Sequence, residues 1–103
     1  MRCLLLILLL AVAGQAWAGE AEQIRDADLR HLAQGRCQRL EDKDMRALCI
    51  GECLFIQSED LANVCKGKCG QVDDADWRNL CRRRCPMVRN ESMQRLCETG
   101  WRP

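Results

Sequence analysis

Cysteine is the residue type with the most chemistry to offer in this sequence. Nine of the 103 residues are cysteine, and six of them form three C-x3-C pairs, Cys49/Cys53, Cys65/Cys69 and Cys81/Cys85. Side chains four residues apart share one face of an α-helix, so each pair would offer two thiolates to a soft ion such as Cu(I) or Zn(II). In an oxidising compartment the same thiols form disulfides instead. The choice between metal and disulfide chemistry therefore depends on where the chain is located.

The first eighteen residues predict export. Arg2 supplies a positive charge, residues 4–13 are apolar, and Ala16-Trp17-Ala18 is a small-x-small cleavage site, as in a secretory signal peptide. The apolar run is shorter than the ~20 residues of a membrane-spanning helix. Since no second apolar segment follows, we expect no membrane span after cleavage. Removal of residues 1–18 also removes Cys3 and leaves one domain, residues 19–103, with eight cysteines in the periplasm or outside the cell.

The eight remaining cysteines define an internal repeat. They lie at positions 37, 49, 53, 65, 69, 81, 85 and 97, and their separations alternate between 12 and 4, which gives a period of 16. The units are residues 21–36, 37–52, 53–68, 69–84 and 85–100. Apolar side chains recur at the fourth, ninth and twelfth positions of each unit and predict a shared core. They are Ile24, Leu40, Ile56, Val72 and Val88, then Leu29, Met45, Leu61, Trp77 and Met93, then Leu32, Leu48, Val64, Leu80 and Leu96.

Each unit has the signals of one short helix. The sixth position holds good N-cap residues, which are Asp26, Asp42, Ser58, Asp74 and Asn90. The eighth position is aspartate in four of the five units, which favours the first turn of a helix. With apolar residues at helical spacing, these signals predict helices at about 27–36, 43–53, 59–69, 75–85 and 91–99. We therefore predict an all-α fold, an array of about five short helices stapled by disulfides between successive helices.

The first unit indicates how the cysteines pair. It has Ala21 and Ala33 at the two cysteine positions, so both cysteines of a unit are absent together. Among the 105 pairings that eight cysteines permit, this favours bonds within a unit. The predicted disulfides are Cys37–Cys49, Cys53–Cys65, Cys69–Cys81 and Cys85–Cys97. The C-x3-C pairs also resemble those of twin C-x3-C proteins such as the small translocase chaperones of mitochondria, and that resemblance implies a rival pairing that joins Cys49 to Cys69.

Nothing in the sequence predicts catalysis or a bound cofactor. The expected mature chain has one histidine, His31, at a polar position of the unit that we expect to face solvent. Its two serines, Ser58 and Ser92, lie at helix-start positions, where capping explains them. The sequence has neither a glycine-rich phosphate-binding motif nor a redox C-x-x-C motif. We therefore do not expect an enzyme.

The last third of the chain is its most basic stretch. The candidate contacts to an acidic partner are Arg78, Arg82, Arg83, Arg84 and Arg89. Nucleic acid is not the expected partner, because loss of Arg2 brings the net charge to zero and no aromatic platform accompanies the arginines. Specificity is expected at the positions that differ most between units, the tenth, eleventh, fourteenth and sixteenth.

These observations favour an exported, non-catalytic protein-binding module, such as an inhibitor, an immunity-type neutraliser, an adaptor or an effector. One alternative is a soft-metal protein whose thiolate ligands are Cys49, Cys53, Cys65, Cys69, Cys81 and Cys85. Another alternative is a structural envelope protein without a dedicated ligand.

Overall fold

The computed structural model describes residues 21–103, and the regular structure within that range is helical. Five α-helices follow one another, α1 (Ala27–Ala33), α2 (Lys43–Ile50), α3 (Glu59–Cys65), α4 (Ala75–Cys81) and α5 (Glu91–Glu98). Short 3-10 helices separate them at Cys37–Arg39, Cys53–Phe55, Cys69–Gln71 and Cys85–Met87. The predicted all-α array is confirmed. The predicted signal peptide, residues 1–18, lies outside the described residues.

Each α-helix begins at the predicted N-cap. The Asp42 side chain accepts a hydrogen bond from the Met45 backbone N–H at 3.0 Å, and Asp74 accepts one from Trp77 at 3.0 Å. The same bond forms at the sixth position of the other three units. These bonds satisfy N–H groups that have no acceptor inside the helix, so the capping signal locates all five starts.

The helices end earlier than predicted. The expected helices at 27–36, 43–53, 59–69 and 75–85 are wrong in their last residues, because the chain turns after Ala33, Ile50, Cys65 and Cys81. At Gly51 and Gly67 the backbone has φ of 80° and 75°, the left-handed conformation that terminates helices and that glycine adopts without strain. The cysteine after each turn therefore begins a separate 3-10 helix. A C-x3-C pair does not lie on one continuous helix.

The core contains every side chain at the fourth and twelfth positions of the repeat, and some of those at the ninth position. Side chains at the fourth and twelfth positions are at most 8% exposed, from Ile24 and Leu32 through to Val88 and Leu96. At the ninth position Leu29, Met45 and Met93 are buried, and Leu61 and Trp77 are half-buried. One buried residue from each linker and one to three from each helix make a continuous apolar centre.

Four disulfides hold the units of residues 21–103, and they have the predicted pairing. Cys37–Cys49, Cys53–Cys65, Cys69–Cys81 and Cys85–Cys97 are bonded with Cα–Cα distances of 5.5 to 5.6 Å. Each bond joins a 3-10 helix to the end of the α-helix that follows it. Closing a loop of this length contributes roughly 3 kcal/mol to stability in the chain-entropy model. The first unit, with Ala21 and Ala33, has no disulfide and is held by packing and hydrogen bonds.

Neighbouring units are joined by the aspartate at the eighth position. Asp60, in the first turn of α3, accepts hydrogen bonds from the backbone N–H groups of Asp73 and Asp74, both at 2.9 Å. Asp28, Asp44 and Asp76 make the same pair of bonds to the next unit. Because each bond joins the start of one helix to the start of the next, neighbouring helices lie side by side and parallel.

The array closes into a ring. Ser92, at the eighth position of the last unit, accepts from the Asp26 backbone N–H at 3.3 Å, and α5 packs against α1. Arg95 donates to the Gln23 side chain at 2.8 Å. Both contacts use the positions that join consecutive units elsewhere in the chain. The fifth unit therefore meets the first as though the first were the next unit.

The eleventh position faces the neighbouring unit, so its predicted exposure to solvent is wrong. Asn63 is 9% exposed and donates through its amide to the Gln71 carbonyl of the next unit at 3.3 Å. Ala47 at the same position of the second unit is 6% exposed. His31 is half-buried, and its Nδ1 atom is buried without a hydrogen-bond partner among residues 21–103.

Replacing Asp60 by alanine should measure the strength of one connection between units. Asp60→Ala leaves the Asp73 and Asp74 amides without their carboxylate acceptor, so we expect the free energy of unfolding to fall by about 1–2 kcal/mol. Urea denaturation with the disulfides intact measures the change.

Glu59→Ala is the matched control, because Glu59 is an exposed carboxylate in the same first turn. It reports the helix-dipole contribution alone, about 0.3–1 kcal/mol. An equal loss of stability in the two variants would show that the bonds to the next unit add nothing.

Candidate protein-binding rim

Parallel helices give the ring two different ends. The N-terminal rim consists of the linker and first-turn residues at which the helices start, 25–28, 41–44, 57–60, 73–76 and 89–92. The C-terminal rim consists of the turns at which the helices end and the 3-10 helices or tail that follow, 34–39, 50–55, 66–71, 82–87 and 98–103. Each rim therefore contains residues from all five units.

The two rims carry opposite charge. The N-terminal rim has eleven acidic and three basic side chains, a net charge of −8. The C-terminal rim has eight basic and two acidic side chains, a net charge of +6. Acidic groups at helix starts and basic groups at helix ends offset the aligned helix dipoles. A chain whose net charge is only +1 is thus strongly polarised from one rim to the other.

The folded structure itself accounts for most of the acidic rim. Asp42 caps its own helix, and Asp44 binds the backbone of the next unit through both carboxylate oxygens at 2.9 Å. The corresponding aspartates of other units do the same. These carboxylates cap helices and join units, so the acidic character of the N-terminal rim follows from the fold and needs no binding partner.

The C-terminal rim carries apolar side chains that the fold does not use. Over the described part of the chain, the exposed large hydrophobic residues are Ile50, Leu54, Phe55 and Met87, and all four lie on this rim. Leu54 is 89% exposed, Phe55 75% and Ile50 52%. We refer to Ile50, Leu54 and Phe55 as the apolar patch. The three residues fall in a six-residue stretch of the chain, and exposed apolar side chains that form one patch typically mark an interaction surface.

The apolar patch departs from the repeat. Leu54 and Phe55 occupy the second and third positions of their unit, where the second unit has Gln38 and Arg39. Ile50 occupies the fourteenth position, which is polar in every other unit. Ile50 thus falls at one of the positions at which specificity was expected, whereas Leu54 and Phe55 were not predicted. A comparison of the second and third positions between units would have found them.

A groove of about 510 Å³ borders the patch. It is lined by Ile50 and by the segment Gly35–Arg39, which includes two arginines, Arg36 and Arg39. No acidic side chain is among the lining residues that the structure describes. The surface on this side of the ring therefore combines apolar side chains with positive charge.

The five arginines predicted to contact a partner do not share one surface. Arg82, Arg83 and Arg84 follow α4 and lie exposed on the C-terminal rim. Arg78 is half-buried and donates to the Val72 carbonyl at 3.2 Å, as Arg46 does to Leu40. Arg89 lies in a linker of the N-terminal rim, where its backbone N–H donates to Asp76 at 2.8 Å.

The six cysteines of the soft-metal alternative are oxidised in the structure. Cys49, Cys53, Cys65, Cys69, Cys81 and Cys85 each contribute their sulfur to a disulfide. A disulfide sulfur is not a thiolate, and the thiolate is the form that binds metal. Within residues 21–103 no group of three or more histidine, cysteine, aspartate or glutamate side chains has the arrangement of a metal site.

Comparison with known proteins finds no relative, since no protein-family model, curated protein or solved structure matches the chain. None of the helices formed by residues 21–103 is both long and apolar enough to cross a membrane. Four intramolecular disulfides are typical of a protein in an oxidising, exported environment.

The disulfides predict the outcome of a thiol titration. In protein lacking residues 1–18, purified without reductant and then denatured, we expect no free thiol, because all eight remaining cysteines are bonded. Mass spectrometry of non-reduced peptides should recover the four pairs within units. Eight reactive thiols would instead favour the soft-metal alternative, and a Cys49–Cys69 fragment would contradict the pairing.

Proposed function

We propose that this protein is an exported, non-catalytic protein-binding module that holds its partner on the C-terminal rim. The observation that carries the proposal is the exposure of Leu54 and Phe55, which are 89% and 75% accessible. Water contact with such side chains is unfavourable, and neither of them contributes to the buried core. A partner that covers the apolar patch would recover that free energy.

The scaffold suits this role because it restricts motion around the patch. A disulfide links Cys53, immediately before Leu54, to Cys65 at the end of α3, and a second links Cys49, immediately before Ile50, to Cys37. Both edges of the patch are therefore attached to the ring by covalent bonds. A surface that is ordered before binding loses less conformational entropy when the partner arrives.

The apolar and charged side chains of the C-terminal rim indicate what kind of surface the partner has. An apolar patch beside Arg36 and Arg39 favours a protein that presents apolar anchors bordered by carboxylates. A second copy of this chain fits less well. Its acidic N-terminal rim matches the charge, but among residues 21–103 that rim carries no exposed large hydrophobic residue to cover Leu54 and Phe55.

The proposal includes the compartment and several classes of module. Export to the periplasm or to the outside of the cell agrees with the disulfides and with the signal peptide predicted from residues 1–18. An inhibitor, an immunity-type neutraliser, an adaptor and a secreted effector all act through such a surface. The soft-metal alternative would require reduction of the disulfides first, and a structural envelope protein would not require the apolar patch.

The double variant Leu54→Gln, Phe55→Gln tests the proposal. Glutamine occurs at these positions in other units, as Gln38 and Gln71, so we expect the melting temperature to stay within about 2 °C of wild type. A photo-crosslinking amino acid at position 55 identifies the partner in the exporting host. Calorimetry with the purified partner should then show a loss of about 2 kcal/mol or more of binding free energy in the double variant.

Ala75→Gln is the matched control, since Ala75 is exposed on the opposite rim. We expect it to leave the affinity for the partner unchanged. Equal binding by wild type and by the Leu54/Phe55 double variant would disprove the assignment of the partner site to the apolar patch.

A further inference from the structure

A second cavity on the C-terminal rim lies outside the apolar patch. Its volume is about 460 Å³, and residues 101–103, the tail, form one side of it. The other side is formed by the ends of α3 and α4 and by the turns that follow them. The volume is within the range of small-molecule sites, roughly 300–1,000 Å³.

The lining of this cavity is both apolar and cationic. Trp101 and Leu80 contribute apolar surface, and both cysteines of the Cys69–Cys81 disulfide line the cavity. Lys66, Arg83 and Arg102 contribute positive charge. No acidic side chain is among the described residues that line the cavity, so these cations have no side-chain counter-ion there.

Arg83 is unusual in its backbone conformation. It occupies the fifteenth position of its unit, where the first three units have Gly35, Gly51 and Gly67. Over residues 21–103 it is the one non-glycine residue with positive φ, at 63°. An L-residue in the left-handed region carries steric strain that glycine avoids. The fourth unit thus accepts strain at a turn that glycine makes freely elsewhere.

The strained turn positions a guanidinium group beside the tail. Arg83 donates a side-chain hydrogen bond to the backbone carbonyl of Trp101. Capping of α4 does not require this side chain, because the backbone N–H groups of Arg82 and Arg83 already donate to Arg78 and Leu80. The side chain therefore serves the cavity and the tail.

We propose that this cavity binds a small amphipathic carboxylate. The carboxylate pairs with the Arg83 guanidinium, and Lys66 and Arg102 add to the positive potential. The apolar part of the ligand packs against the Trp101 indole. The ligand competes with the Trp101 carbonyl for the Arg83 guanidinium, so ligand binding weakens the hydrogen bond between Arg83 and the tail. This site is separate from the partner surface proposed above.

Octanoate and octan-1-ol are matched probes for this site, because they differ in charge and share an alkyl chain. In a proton–nitrogen correlation spectrum we expect added octanoate to shift the Trp101 indole N–H signal progressively until the site is fully occupied. Octan-1-ol should bind at least tenfold more weakly, since it has no charge to pair with Arg83. Equal affinity for the two probes would overturn the proposal. So would a shift of the Phe55 backbone amide signal without a shift of the Trp101 indole signal.

Arg83→Gly tests the residue itself. Glycine is the residue of the first three units at this position, so the variant folds with the strain removed and its melting temperature equals or exceeds that of wild type. We expect its affinity for octanoate to fall at least tenfold. Leu54→Gln, Phe55→Gln should bind octanoate as wild type does, which separates this site from the proposed function. Unchanged octanoate binding in Arg83→Gly would disprove the assignment.

Discussion

One carboxylate that accepts two backbone N–H groups of the next unit fixes the direction of the helices in this protein. Asp44 and Asp60 illustrate the bond, with all four distances at 2.9 Å. Because the carboxylate lies in the first turn of one helix and its donors lie at the start of the next, antiparallel packing is excluded at every such junction. Each disulfide joins the 3-10 helix that follows one α-helix to the end of the next α-helix, and so adds a covalent link between successive helices. The parallel direction of neighbouring helices therefore depends on this polar contact, and the disulfides hold the helices in that arrangement.

Parallel helices have an electrostatic cost, because their dipoles point the same way. The sequence offsets this cost with acidic residues at the helix starts and basic residues at the helix ends, so charge separates between the rims. The separation follows from architecture and by itself indicates no partner. The apolar side chains are different, since neither dipole compensation nor core packing explains Leu54 at 89% exposure. That distinction is why the apolar patch, and not the arginine run, carries the proposed function.

Much of this fold can be predicted from the spacing of its residues. The alanines at 21 and 33 indicate the disulfide pairing, and the N-cap residues locate every helix start. The apolar spacing does not locate the helix ends, because these depend on the left-handed turn at the fifteenth position, where Gly35, Gly51 and Gly67 recur. Ring closure could not be predicted, because it depends on the rotation between units, which no single residue specifies. The exposure of Leu54 and Phe55 follows from the positions they occupy, the second and third of the unit, which are polar in the first two units although the fifth unit has Pro86 and Met87 there.

Closure also bounds how a protein of this architecture can change in size. In an open solenoid each repeat touches only its neighbours, so copies are gained or lost at little structural cost. Here each unit turns the chain by about one-fifth of a circle, and the last unit bonds to the first through Ser92 and Arg95. A sixth copy would have no vacant place in the circle, and loss of one would leave a gap with two unpaired faces. New binding properties in such a lineage therefore arise by exchanging side chains on a rim of fixed circumference, and not by lengthening the array.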